Sequence, residues 1–307
     1  CGFRARGPLH PGTLLALVVM AFATMGCDKL GLGNGGSPTT PTPSGPLTPG
    51  TAVVYTAVGA SDAMGVGSSV VCSATNLFSD CPDGLGYVPV TARLLKAQGY
   101  SVTLRNMGIA TAVISRTFQT LGQQHNRTIL GNFIDSEMPF VLANSTLVTV
   151  FAGGNDVNTI TAALGGGAGG SDPAGYIDRQ IIQFGTDYAT LIAGIRERAS
   201  GTRIVVINLP NLGILPNLAG ASLQQRQAAQ RAAVGMTVNV INKLQNVTIV
   251  DLMCDSRTYL PSTYSADGFH PSDAGHAFIA SEVVLAATTG YHAPRASCSQ
   301  MTTVPAT

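Results

Sequence analysis

The chain has 307 residues, 45% of them hydrophobic, enough to bury a sizeable core as about one domain plus accessory segments. Its formal charge is +1, only 11% of residues are charged, and no Lys/Arg run is long enough to form a basic stripe. Nucleic acid is therefore not an expected partner.

At the N-terminus, Arg4 and Arg6 precede the apolar run Leu14 to Ala23. That run falls short of the ~20 residues a transmembrane helix needs, but it has the length of a signal-peptide core. It ends at Thr24-Met25-Gly26-Cys27, which resembles a bacterial lipoprotein signal with Cys27 as the lipidation site, although Thr24 stands where leucine is usual. The chain opens on Cys1 in place of Met, which suggests a truncated or misassigned start. Residues 1–27 are thus expected to be an export segment, placing the protein in the bacterial envelope on a lipid anchor, or secreted. Residues 28–50 are rich in Gly, Pro, Ser and Thr, cannot bury enough apolar surface to fold, and read as a disordered tether. A catalytic domain is expected over 51–307.

Within that domain, Val53, Val54, Tyr55 and Val58 predict a first strand, buried on both faces and stopped by Gly59. Tyr87 to Gln98 reads as a helix closed by Gly99, Ser101 to Leu104 as a second strand, and Ala110 to Leu121 as a helix. Thr146 to Phe151 is a third strand, and the glycine-rich 165–170 reads as a mobile insertion after it, without the Lys-Ser/Thr of a phosphate loop. Ile177, Ile181, Phe184, Tyr188, Leu191, Ile192 and Ile195 recur at helical spacing. Arg203 to Leu209 is a fourth strand. Ser222 with Gln225 forms a capping-box signature for a helix ending near Lys243. Val247 to Leu252 is a fifth strand, and a last helix runs from its cap Ser272 to about Ala287.

Alternating strands and helices predict an α/β fold of three layers, α/β/α, with a five-stranded parallel sheet, for which the flavodoxin-like order 2-1-3-4-5 is the expected one. In such a sheet a ligand binds at the carboxyl ends of strands one and three. Ser61 and Asn155 follow those two ends, Gly108 follows the second strand, and Asp267 with His270 follow the fifth, so five candidates reach one edge. Cys72, Cys81, Cys254 and Cys298 lie in the folded part and suggest two disulfides. Three pairings are formally open, and joining chain neighbours, Cys72 to Cys81 and Cys254 to Cys298, is the expected one. With no Cys-x-x-Cys and no histidine cluster, no metal is expected.

A serine needs a base to become nucleophilic, and the base needs a carboxylate to fix its tautomer. His270 fills the first role for Ser61, and Asp267, three residues earlier, can fold back onto its Nδ1. The remaining histidines, His10, His125, His276 and His292, lack a carboxylate at comparable spacing together with a preceding strand. The Ser61 N–H, the Gly108 N–H and the Asn155 amide are candidate oxyanion donors, and Asp156 is expected to anchor its loop. No Gly-x-Ser-x-Gly elbow occurs, which argues against the α/β-hydrolase fold.

The four segments Gly59-Ala60-Ser61-Asp62, Asn106-Met107-Gly108, Gly153-Gly154-Asn155-Asp156 and Asp267-Gly268-Phe269-His270-Pro271 resemble, in order and spacing, the SGNH (GDSL-type) hydrolase family over roughly residues 51 to 290. Ala60 departs from the pattern, which has Asp before the serine; here the acid is displaced to Asp62. The resemblance implies a cofactor-free esterase or lipase that cleaves small or polymeric carboxylic esters through an acyl-enzyme, and a monomer is expected. The alternatives are a noncatalytic envelope binding module on the same fold and an acyltransferase using the same triad.

Overall fold

The computed structural model describes residues 45–72, 80–291 and 293–305; Cys27 and most of the expected tether lie outside them. Five strands, β1 (Ala52–Gly59), β2 (Ser101–Asn106), β3 (Leu147–Phe151), β4 (Arg203–Ile207) and β5 (Thr248–Val250), form one sheet in the order β2-β1-β3-β4-β5. Every pairing is parallel. Each residue of β3 and β4 is buried, as their continuous apolar and β-branched sequences require of strands covered on both faces. β2, at the edge, keeps alternate residues exposed. Opposite the end of β1, Gly59 pairs with Phe151 of β3, the point at which the strand order reverses.

Eight helices surround the sheet: α1 (Ser61–Met64), α2 (Tyr87–Ala97), α3 (Arg116–Gln124), α4 (Phe133–Ser136), α5 (Gly154–Gly165), α6 (Pro173–Arg198), α7 (Leu223–Asn239) and α8 (Asp273–Thr288) among the described residues. The strand order runs outward from β1 in one direction to β2 and in the other through β3 to β5, and α2 packs beside α8 while α3, α5, α6 and α7 pack together. The capping box of α7 is present, with Ser222 Oγ accepting the Gln225 N–H and the Gln225 side chain accepting the Ser222 N–H. Ser272 caps α8 as expected. Leu47, within the stretch expected to be a tether, donates its N–H to Ala287 O and accepts the Tyr100 hydroxyl, so the chain is already docked there.

Three local expectations change. The helix expected from Ala110 begins only at Arg116, because 109–115 is a loop drawn toward α5: Thr111 adopts φ +61, Asn155 Nδ2–H donates to Ala112 O at 3.1 Å, and Asp156 Oδ1 accepts the Ile114 N–H at 2.9 Å. The segment after Gly153 is the helix α5, and the glycine-rich 165–170 is a chain of turns joining it to α6, with Gly167, Gly169 and Gly170 at positive φ. Finally, α7 stops at Asn239, and a separate helical turn, Ile241–Lys243, completes the stretch.

Cys72 pairs with Cys81 and Cys254 with Cys298, the expected choice among the three. The second bridge returns the C-terminal segment to the domain, where Gln230 Nε2–H donates to Val304 O and Asn211 Nδ2–H to Gln300 O. No helix among the described residues is long and apolar enough to cross a membrane.

Asp156 is fully buried, and its Oδ2 has no hydrogen-bond partner among the described residues. Burial pushes its carboxyl from the ordinary 3.8 up to about 7, against the opposing pull of the Ile114 N–H. Between these values the folded chain keeps a proton that the unfolded chain releases, so stability declines as pH rises through the window and levels off above it. A shift of this size corresponds to a few kcal/mol, on the order of 4. Denaturant titrations at pH 5 and pH 8 are expected to show a smaller loss for Asp156→Asn than for the wild type; equal losses would reject the assignment. Reduction of both bridges is expected to remove about 2–4 kcal/mol each, seen as a melting temperature lowered by dithiothreitol in the wild type and unaffected in a protein whose four cysteines are replaced by serine.

Candidate active site

β1 ends at Gly59, and the chain turns at once into the four-residue helix α1, so Ser61 is the first helical residue, 6% exposed, at the carboxyl edge of the sheet. The Ala60 carbonyl accepts the N–H groups of Ala63 and Met64, which closes the turn. The Ser61 N–H has no acceptor among the described residues and remains available to a ligand oxygen. Asn106, the last residue of β2, donates its side-chain N–H to Ala63 O at 2.7 Å and so ties α1 to the neighbouring strand.

His270, the candidate base, arrives on the connection between β5 and α8. An antiparallel bridge between Tyr264 and Pro271, with the Ser265 N–H donating to His270 O, folds 264–271 into a compact turn. Gly268 at its tip has φ +70, and a Cβ there would come within 2.6 Å of the Asn217 backbone nitrogen, so the turn requires glycine. Asp267 accepts four hydrogen bonds: from Ser265 Oγ, the Phe269 N–H, the His270 N–H and His270 Nδ1, the last at 2.6 Å. Partial burial pushes its carboxyl up, but these bonds, led by that from His270, outweigh it and hold the group well below the usual carboxylate range. An ionised, acceptor-only Asp267 keeps the proton on Nδ1 and leaves Nε2 as an acceptor. Ser61 Oγ lies 2.9 Å from that Nε2. Phe269 packs edge-on against the imidazole at 5.0 Å between centroids, which restrains the ring.

Two of the three candidate oxyanion donors are presented directly. The Ser61 N–H is free, and Asn155, at the start of α5, spends one amide hydrogen on Ala112 O and retains the other. The Gly108 N–H instead donates to Asn106 Oδ1 at 3.1 Å, so it serves an oxyanion only by sharing or exchanging that bond. Gly108 is nevertheless pressed against the turn that carries Ser61: a Cβ would stand 2.9 Å from Met64 N and 3.1 Å from Ala60 O. Asp156 points away from the site and anchors α5 to 109–115, as expected.

Asp62, the displaced acid, makes no side-chain hydrogen bond to another of the described residues; burial pushes its carboxyl up, opposed by the nearby His270 and His276. His276 is not a second base. Its Nδ1 accepts the Tyr87 N–H, its Nε2–H donates to Val66 O, and burial lowers its pKa, so it is a neutral fastener between α8, α2 and the nucleophile loop. Asn106 entered the sequence reading only as part of the Gly108 segment, and Glu137 did not enter it. Glu137 is wholly buried and accepts the Gly59 N–H at 2.8 Å. Of the two acids in the stretch Phe133 to Val141, Asp135 is spent at the cap of α4 and Glu137 is the buried one, a distinction that only the folded chain makes.

A cavity of about 50 Å³ adjoins Ala60 and Asn155, walled by Phe133, Leu212, Leu215 and Phe269 among others. Its lining is mostly apolar, so the edge that gathers the serine, the imidazole and the amide donors also offers an apolar recess.

The fold is shared with solved structures of low identity. The lipase Lip_vut3 from a goat rumen metagenome matches with TM-score 0.53 and 17% identity, over 77% of this chain and 98% of that one. A phospholipase A1 from Streptomyces albidoflavus NA297 matches with TM-score 0.52 and 18% identity, over 77% and 99%. An extracellular lipase from Streptomyces rimosus matches with TM-score 0.50 and 17% identity, over 77% and 100%. No curated protein matches the sequence. The family model of the GDSL-like lipase/acylhydrolases spans residues 57–278, from the end of β1 into α8 and hence every segment of the site, and the chain belongs to that family of ester hydrolases.

Proposed function

We propose that the protein is a serine esterase that cleaves carboxylic esters of short acyl chains through an acyl-enzyme. The observation that carries this reading is the continuous relay from Asp267 Oδ2 through His270 to Ser61 Oγ, with contacts of 2.6 and 2.9 Å. A noncatalytic module would have no use for an ionised carboxylate holding one imidazole tautomer against a serine.

In the first half-reaction Ser61 Oγ attacks the ester carbonyl carbon as its proton passes to His270 Nε2, and the carbonyl π electrons move onto oxygen. Asp267 stabilises the imidazolium without taking its proton. The oxyanion is held by the Ser61 N–H and Asn155 Nδ2–H, joined by the Gly108 N–H once it turns from Asn106. Collapse of the tetrahedral intermediate breaks the bond to the leaving alkoxide, which receives the proton from Nε2. Water, deprotonated by the same nitrogen, then releases the acid and restores Ser61.

The recess beside Asn155 and Ala60 suits the acyl group. A 150 Å³ cavity admits benzene, so one of about 50 Å³ takes a chain of roughly two to four carbons on the same scale. Two disulfides support an oxidising compartment. In this reading residues 1–27 direct export, 28–50 tether, and Cys27 carries the lipid. Cys27→Ser is expected to move the protein from the membrane to the soluble fraction; unchanged partitioning would reject anchoring.

Ser61→Ala is expected to abolish p-nitrophenyl butyrate turnover and fluorophosphonate labelling, and Asp267→Asn to lower kcat on the order of 10⁴-fold; turnover by Ser61→Ala at the wild-type rate would sink the reading. kcat/KM is expected to peak between acetyl and butyryl esters, with Leu215→Ala moving the optimum to longer chains. A wild-type preference for palmitoyl esters would overturn the assignment of the recess.

A further inference from the structure

Ala60 removes from the nucleophile turn the acid that the family pattern places beside the serine, and the turn nevertheless ends in a fixed position. The Gly59 peptide shows how. Its C=O accepts the Ile109 N–H at 3.2 Å, which joins the strand end to the loop carrying Gly108. Its N–H is taken by Glu137 Oε2 at 2.8 Å, from a residue 78 positions away. Glu137 reaches there because it sits between α4 and the following helical turn, where Asn132 caps α4 and the Phe133 N–H bonds to Val113 O.

The chemical state of Glu137 follows from its surroundings. It is 0% exposed, and its Oε1 has no hydrogen-bond partner among the described residues. One N–H donor does not compensate a buried carboxylate, so the group is protonated, its pKa pushed well up by burial. The Tyr87 hydroxyl, also buried, lies against the same glycine, 3.5 Å from where a Gly59 Cβ would stand. A neutral acid thus grips the strand two residues before Ser61 without placing a charge beneath the site.

We propose that Glu137 is a positioning residue for the nucleophile: its carbonyl oxygen, acting through Gly59, sets where Ser61 Oγ stands relative to His270 Nε2 and to the oxyanion donors. The assignment rests on the reading of Ser61 as the nucleophile. It predicts that Glu137 acts on the chemical step and that the acceptor oxygen, not the acidity, is what counts.

The test compares Glu137→Ala, Glu137→Gln and Glu137→Asp with Thr56→Val. The last removes the buried hydrogen bond between Thr56 Oγ1 and Ser145 Oγ, 2.8 Å long and in the same strand but away from the site, and serves as a stability control. Each is assayed well below its own melting temperature for p-nitrophenyl butyrate kinetics and for the rate of fluorophosphonate labelling at Ser61. Glu137→Ala is expected to lose roughly ten- to a hundredfold in kcat with little change in KM, and as much in labelling rate. Glu137→Gln, which keeps the carbonyl acceptor, should restore both to near wild type. Thr56→Val should lower the melting temperature but leave kcat intact. Wild-type kcat in a destabilised Glu137→Ala would reduce the residue to core structure and overturn the proposal, as would Glu137→Gln as impaired as Glu137→Ala. If Glu137→Ala does not fold, Glu137→Asp carries the test, since it withdraws the acceptor by one methylene: lowered kcat supports the proposal and full kcat overturns it. Failure of the wild type to label at Ser61 would overturn the esterase reading and this inference together, whereas labelled wild type with unaffected variants overturns this inference alone.

Discussion

The parallel pairing of β1 with β3 is the constraint from which the site follows. With Gly59 opposite Phe151, the chain leaves the sheet at two adjacent points in the same direction, and the crossovers to β2 and β4 depart toward opposite faces. No helix can cover the crevice between them. Ser61 stands two residues beyond one strand end and Asn155 four beyond the other, so a hydroxyl and an amide meet there through register alone. The remaining members are brought by loops, and each loop is fastened to the same edge: 109–115 by Asn155 and Asp156, and 264–271 by its own bridge and by Gly67, where a Cβ would stand 2.8 Å from that of His270.

Electrostatics divide the acids of this region by depth. Asp267 is about half exposed and collects four hydrogen bonds, so it keeps its charge at the rim, where it fixes the imidazole tautomer. Asp156 and Glu137, each buried with a single backbone donor from another residue, are driven toward neutrality and act as acceptors. The same functional group thus serves as a charge where solvent and donors sustain one, and as a hydrogen-bond bracket where they do not.

Much of this was legible in the sequence because it is local. Apolar runs mark the strands, Ser222 with Gln225 and Ser272 mark helix starts, and Asp267 precedes His270 at the spacing of a turn. The parallel sheet followed from alternation and both disulfide pairings from chain proximity, whereas the strand order was taken from the flavodoxin-like pattern. What escaped depends on contacts between distant segments. The helix start near Ala110 is overridden because Ala112 and Ile114 give their backbone groups to Asn155 and Asp156, which only the folded chain places nearby. α5 was missed because Gly153 reads as the stop of the third strand, whereas at φ +119 it is the bend that launches the helix. Gly108 shows the limit in the other direction: its identity was readable, but its N–H is turned to Asn106, a preference set by side-chain geometry.

The substitution at Ala60 shows how a fold can move a task from one residue to several. A small apolar side chain there adjoins the recess beside Asn155, and the family's aspartate would put an ionisable group against that wall. Without it the nucleophile turn is held from outside: Glu137 grips the Gly59 N–H, Asn106 holds Ala63 O, and the Cys72 N–H donates to Met64 O on the side closed by the bridge to Cys81. Each anchor belongs to a different element, so the position of Ser61 is over-determined by the sheet, α4 and a disulfide loop. Removing one bracket shifts the hydroxyl without releasing the turn, which is the behaviour expected of a site whose geometry is set by its scaffold and not by a neighbour in sequence.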